Sequence, residues 1–181
     1  MLLAASPLLY VLPMLPIGID ELDARLITTL ADTPRAGVME LARQLGVARG
    51  TIQARLDKLQ AKSIITGFGP DLHLEALGYE VLAFVTLEIA QGGLADVITH
   101  LVHIPEVIEA HTTTGSGDLH CRVVARTNEH LQEVLGEILV VPGIVRTATQ
   151  IALTQQIGFR VLPLVGQLIE DDPTTARRRR R

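Results

Sequence analysis

Leu94-Ala95-Asp96-Val97-Ile98-Thr99-His100-Leu101-Val102-His103-Ile104-Pro105-Glu106-Val107-Ile108 is answered, 37 residues on, by Leu131-Gln132-Glu133-Val134-Leu135-Gly136-Glu137-Ile138-Leu139-Val140-Val141-Pro142-Gly143-Ile144-Val145. Each copy opens with apolar residues at i, i+3, i+4 and i+7, the stripe that one face of an α-helix buries. Each then meets a proline, which cannot continue a helix, and passes into β-branched residues that suit a strand. Apolar runs at 81–89 and 119–126 precede the two helices, and runs at 106–114 and 144–153 follow them. The order is therefore strand, helix, strand, taken twice, and an internal repeat of this length signals a duplicated supersecondary unit. Two such units joined by a tight loop predict a ferredoxin-like βαββαβ domain over 79–160, an antiparallel sheet with both helices on one face.

Upstream of this repeat the periodicity is purely helical. Asp20 is placed to cap a helix on which Leu22, Leu26 and Leu30 recur every four residues, and Asp32, Thr33 and Pro34 end it. A short second helix carries Val38, Leu41, Ala42 and Leu45 on one face, with Gly46 as its stop. After the turn at Val47 and Ala48, a third helix over 49–62 lines up Ile52, Leu56 and Leu59. Residues 63–69 read as a short wing or strand, closed by Gly67, Gly69 and Pro70. The segment 19–69 thus predicts a winged helix-turn-helix, 70–78 a linker, and the chain as a whole an α+β protein of two domains.

The formal net charge of -4 is unevenly spread. Residues 71–176 hold fourteen acidic and four basic side chains, whereas 36–62 hold five basic (Arg43, Arg49, Arg55, Lys58, Lys62) against two acidic (Glu40, Asp57). Only that stretch and the terminal Arg177 to Arg181 offer phosphate an attractive field. The 48% hydrophobic content excludes a disordered chain, and a lone Cys121 excludes an internal disulfide, which points to a reducing cytoplasm. The apolar opening, residues 1–18, lacks a basic n-region and is broken by Pro7, Pro13 and Pro16. It therefore reads as a flexible extension, neither signal peptide nor membrane span, with Met14 as an alternative start. Residues 161–181 read as a tail in which the five arginines either add non-specific affinity for DNA or form an inert, solubilising end.

In a helix-turn-helix the third helix enters the major groove. With Ile52 at the centre of the buried stripe, steps of 100° turn Gly50, Gln53, Ala54, Asp57 and Lys58 outward and set Arg55 on the flank, while Arg49 and Thr51 occupy the first turn. Arg49 and Gln53 are the expected base readers, and Arg55 and Lys58 the expected backbone contacts. Gly50 and Ala54 permit close approach. On local pattern alone, an ordinary three-helix bundle with a solvated charged face explains the same residues.

The chain resembles the Lrp/AsnC, or feast/famine, regulators over roughly residues 19–153. The resemblance rests on Ile19-Asp20-Glu21-Leu22-Asp23-Ala24-Arg25-Leu26-Ile27, on Glu40-Leu41-Ala42 followed by Gly46-Val47, on Ile64-Ile65-Thr66-Gly67-Phe68, and on Thr114-Gly115-Ser116-Gly117-Asp118 between the middle strands. One departure is Ala48 where the family has a Ser or similar cap, a loss of about 1 kcal/mol to the third helix. The resemblance implies a regulator of amino-acid metabolism that binds a double-stranded operator and assembles as dimers joined into octamers. It also implies that an amino acid binds near residues 114–118, at an interface between dimers, as an effector rather than a cofactor.

The chemistry of that loop agrees. Gly115 and Gly117 present backbone N–H groups to a carboxylate, and Asp118 suits an ammonium, with Thr114 and Ser116 beside them. The same residues also spell a plain hairpin turn. Six histidines raise a metal site, with His100 and His103 on a helix and His111 and His120 on neighbouring strands, but their spacing matches no ligand motif and no metal is expected. No nucleophile-base pairing or phosphate-binding glycine loop appears, so an enzyme is not expected. An amino-acid sensor that acts through protein contact remains the alternative to a DNA-binding regulator.

Overall fold

The computed structural model describes residues 18–170 of the chain. The extension expected over 1–18 lies outside the described residues except for Gly18, and the five terminal arginines lie outside them entirely. Two compact units emerge, residues 71–158 forming one and the flanking segments the other.

The first unit is helical: α1 (Glu21–Asp32), α2 (Val38–Leu45) and α3 (Arg49–Ala61). Asp20 caps α1 as expected, its Oδ1 accepting from the Asp23 N–H at 3.0 Å, while Asp23 Oδ2 accepts from the Asp20 N–H at 3.1 Å. This reciprocal box satisfies two of the amides that a helix start leaves unpaired. Gly46 ends α2 in the left-handed region at φ 69°, and the Val47 N–H returns to the Ala42 carbonyl at 3.1 Å. The three helices enclose Leu26, Leu41, Ala42, Leu45, Ile52, Leu56 and Leu59.

Residues 63–69 form no strand, which corrects the expected wing. Ser63 turns the chain at φ 54°, and the Ile64 and Ile65 N–H groups both return to the Leu59 carbonyl, at 2.9 and 3.3 Å. Amides spent on closing α3 are not free for a ladder, and Gly67, Gly69 and Pro70 discourage one beyond. The structure adds a helix where a tail is expected: α6 (Leu162–Glu170) packs on α1, with Pro163 in its first turn.

The second unit opens with a 3-10 turn at Glu75–Leu77. It continues through β1 (Val81–Ile89), α4 (Leu94–Leu101), β2 (Val107–Thr112), β3 (Leu119–Ala125), α5 (Asn128–Leu139) and β4 (Ile144–Ile151). The sheet order is β2-β3-β1-β4 with every neighbouring pair antiparallel, the ferredoxin-like arrangement the repeat predicts. Ala83, Val85 and Leu87 of β1 and Leu119, Cys121, Val123 and Ala125 of β3 pack against Val97 and Leu101 of α4 and Leu131, Val134 and Ile138 of α5. Five of the eight stripe positions the repeat singled out are buried here, Leu135 packs against them partly buried, and Leu94 and Ile98 are exposed, so the expected stripe of α4 is narrower than the repeat predicts. The register between β1 and β4 shifts at Glu88 and Ile89, which frees the end of β1 from regular pairing.

Candidate functional site

α3 carries the candidate DNA surface. Arg49, Gly50, Thr51, Gln53, Ala54 and Asp57 are all exposed, as the buried stripe of Ile52, Leu56 and Leu59 requires. Gln53 Nε2 donates to Asp57 Oδ1 at 2.8 Å, which orients its amide along the outward face. Ala48 is the N-cap and brings no side-chain hydrogen bond to the first turn. The amides there face outward with the partial positive charge of a helix start, a surface suited to phosphate.

Arg55 and Lys58, the expected backbone contacts, turn the other way. Asp23 is the one buried charged residue among those described, 0% exposed on α1. Lys58 Nζ donates to Asp23 Oδ2 at 2.7 Å and Arg55 Nη1 to Asp23 Oδ1 at 2.9 Å. Arg55 also bonds to Asp20. Burial opposes the charge on Asp23, but the hydrogen bonds from Lys58, Arg55 and the Asp20 N–H outweigh it and hold the carboxyl below its ordinary range. Asp20 is lowered in the same way, and its carboxylate raises the Arg55 guanidinium further. Asp23 was not among the site residues expected from sequence, although a signal for it exists: acids three apart at the cap and first turn of α1 face bases three apart on α3.

In the second unit, residues 114–118 make the turn between β2 and β3. Thr114, Gly115, Ser116 and Asp118 are exposed and Gly117 is half-buried. Gly115 and Gly117 sit at φ 108° and 146°, and a Cβ on Gly117 would lie 2.3 Å from Thr86 Cγ2, so glycine is required there. The Gly117 N–H, expected to face a ligand, donates instead to the Gly115 carbonyl at 3.0 Å. Asp118 grips the irregular end of β1: its N–H donates to the Leu87 carbonyl at 2.8 Å, and its Oδ2 accepts from the Ile89 N–H at 2.7 Å. The loop is therefore a built turn as well as a candidate ligand site, with Asp118 Oδ1 unpaired among the described residues.

The histidines are distributed rather than gathered. His100 Nε2 lies 2.8 Å from the Glu137 carbonyl, His103 Nδ1 lies 2.8 Å from the Thr99 carbonyl, and His111 pairs with Glu109. His120 stacks on Phe84 at 5.7 Å and meets Thr86 Oγ1 at 3.1 Å. No group of three metal-capable side chains assembles among the described residues. Burial pushes the Cys121 thiol up to about 11, which keeps it protonated and unreactive.

A helix-turn-helix presenting an exposed third helix, in a chain that also carries a ferredoxin-like domain, defines a class of transcription regulator. The AsnC-type helix-turn-helix domain matches residues 19–60, and the Lrp/AsnC ligand binding domain matches residues 82–160. The chain belongs to the Lrp/AsnC family, whose members are transcriptional regulators and not enzymes. It is 32% identical to the HTH-type transcriptional regulator FL11 of Pyrococcus abyssi, over 82% of this chain and 98% of that protein. It is 33% identical to the regulatory protein AsnC of Escherichia coli, over 80% of this chain and 97% of that one. The solved structure of E. coli AsnC superposes with a TM-score of 0.75, covering 80% of this chain and 99% of that chain. The leucine response regulatory protein of Mycobacterium tuberculosis, 25% identical, superposes at 0.67, over 79% and 98%. No described helix is long and apolar enough to cross a membrane.

Proposed function

We propose that the chain is a cytoplasmic, sequence-specific regulator of amino-acid metabolism whose operator binding or assembly responds to a free amino acid. The observation that carries this reading is the pairing of an exposed α3 with a second unit that matches a ligand-binding domain. Arg49 and Gln53 are the base-reading candidates, with Gly50, Thr51 and Ala54 admitting close approach. The effector would lie at residues 114–118, its ammonium on the unpaired oxygen of Asp118 and its carboxylate toward Gly115 and Ser116. The leucine-responsive name of one relative favours an amino acid as the effector class. Neither a cofactor nor a metal has a role in this reading.

Self-association follows from the sheet. Helices cover one face, while Leu82, Phe84, Thr86, His120 and Arg122 lie half-buried on the other. A face of that composition suits a second copy of the chain, giving a homodimer and, through further contacts, a larger assembly such as an octamer. A dimer would place two α3 helices on half-sites about 34 Å apart.

Asp118→Asn separates the effector reading from the plain turn. The amide oxygen still accepts from the Ile89 N–H, so the turn is kept, while the charge that would hold an ammonium is lost. Calorimetry of parent and variant against free amino acids, with band shifts alongside, is expected to show parental folding and DNA binding but no response to the effector. Parental effector affinity in Asp118→Asn would place the ligand elsewhere.

A further inference from the structure

α3 bears three cations within its length, Arg49, Arg55 and Lys58, yet two of them are held half-buried at the border of its exposed surface by a carboxylate of α1. Asp23 takes both, at 2.9 and 2.7 Å, and is itself fully buried. What remains on the outward face is Arg49 in the first turn, the uncharged Gly50, Thr51, Gln53 and Ala54, and the anionic Asp57. Beyond the first turn, where the helix start and Arg49 suit a phosphate, a surface so constituted offers an arbitrary phosphate backbone little charge. Its contacts are the directional kind that read bases.

We infer that Asp23 is a specificity-determining positioning residue, which withdraws Arg55 and Lys58 from DNA and spends their charge on orienting α3 against α1. The inference rests on the DNA-binding reading above. Each cation that neutralises a phosphate displaces counterions, so the slope of log K against log salt changes by about 0.9 per contact. Arg55 lies 100° around the helix from Ala54, and Lys58 the same step from Asp57, so both border the outward face. Their side chains are long and flexible. Once Asp23 no longer holds them, they swing toward that face and meet phosphate whatever the sequence. Asp20, which is exposed on the rim of the same cluster, also pairs with Arg55, so Arg55 keeps one carboxylate partner when Asp23 is replaced whereas Lys58 loses its own.

The test uses the full chain, a random-sequence duplex, and duplexes selected from a random pool by the parent protein. Asp23→Asn is expected to stay folded, to bind the random duplex more tightly at low salt, and to steepen the salt slope by about 0.9 to 1.8. Its preference for selected over random duplex is expected to fall roughly tenfold, or about 1.4 kcal/mol. Lys58→Gln leaves Asp23 its arginine, and is expected to keep the parental slope because Lys58 touches no phosphate in the parent. A purely structural Asp23 would lower the melting temperature of Asp23→Asn with slope and preference unmoved, and that result overturns the inference. If Asp23→Asn fails to fold, Lys58→Gln decides: an unchanged slope supports the inference, and a slope shallower by about 0.9 overturns it. Should the parent bind neither duplex, the DNA-binding reading itself has failed, an outcome distinct from any of these.

Discussion

The two units of this chain hold their aspartates in opposite ways. In the helical unit Asp23 is sealed from water and matched by two cations from a different helix, so it joins elements distant in sequence. In the sheet unit Asp118 stays exposed, and its partners are backbone groups of Leu87 and Ile89 at the end of one strand. The cores differ to match. Seven buried apolar residues support three short helices, whereas thirteen support the sheet and its two helices, without a buried charge among those described. A small core leaves helix orientation weakly specified, and a buried ion pair is one means of fixing it. A large core fixes orientation by packing and leaves its polar groups free for loops.

That contrast breaks most visibly where packing alone carries the load. Ile138→Ala opens a void between α5 and the sheet at a fully buried position, and is expected to cost about 4 kcal/mol, read as the shift of a denaturant midpoint. A loss under about 1 kcal/mol would mean that the sheet unit does not depend on this packing. Asp23→Ala is expected to cost about 3 kcal/mol, the low end for a broken buried pair, because Arg55 and Lys58 can each still reach water.

The same carboxylate sharpens the comparison through pH. Its folded pKa is depressed, so its contribution is present above the unfolded value of about 3.9 and is lost as pH falls through the folded value. Below about pH 4 the parent is therefore expected to lose stability more steeply than Asp23→Asn, in thermal melts followed at several pH values. Parallel curves would show that Asp23 does not titrate with folding.

Smaller effects are expected at the recognition surface. Arg49→Ala and Gln53→Ala should each weaken operator binding by about 1 to 3 kcal/mol while leaving the melting temperature in place, since both side chains are exposed. Retained preference in the double variant would remove α3 as the reading helix. The smallest change is a gain. Ala48 already has cap geometry at φ -67° and ψ 146°, so Ala48→Ser is expected to stabilise α3 by about 1 kcal/mol, measured by denaturation.

The sequence by itself determined the topology. Two apolar stripes 37 residues apart, each ended by a proline and a β-branched run, leave little choice but a duplicated strand-helix-strand unit, because periodicity is a local property. The same holds for the buried stripe of α3, the Asp20 cap and the missing cap at Ala48. Only the tertiary structure decided which polar groups are available. A helical wheel turns Lys58 outward and sets Arg55 on the flank, but a wheel contains no second helix, and the buried Asp23 on α1 outcompetes solvent for both. The wing failed for a related reason, since Leu59 claims the amides that a strand would need, and α6 became visible only once α1 offered its short apolar run a surface. Asp118 is decided in the same way: the register shift of β1 leaves the Ile89 N–H for its carboxylate, and a pairing irregularity between distant strands has no trace in local composition.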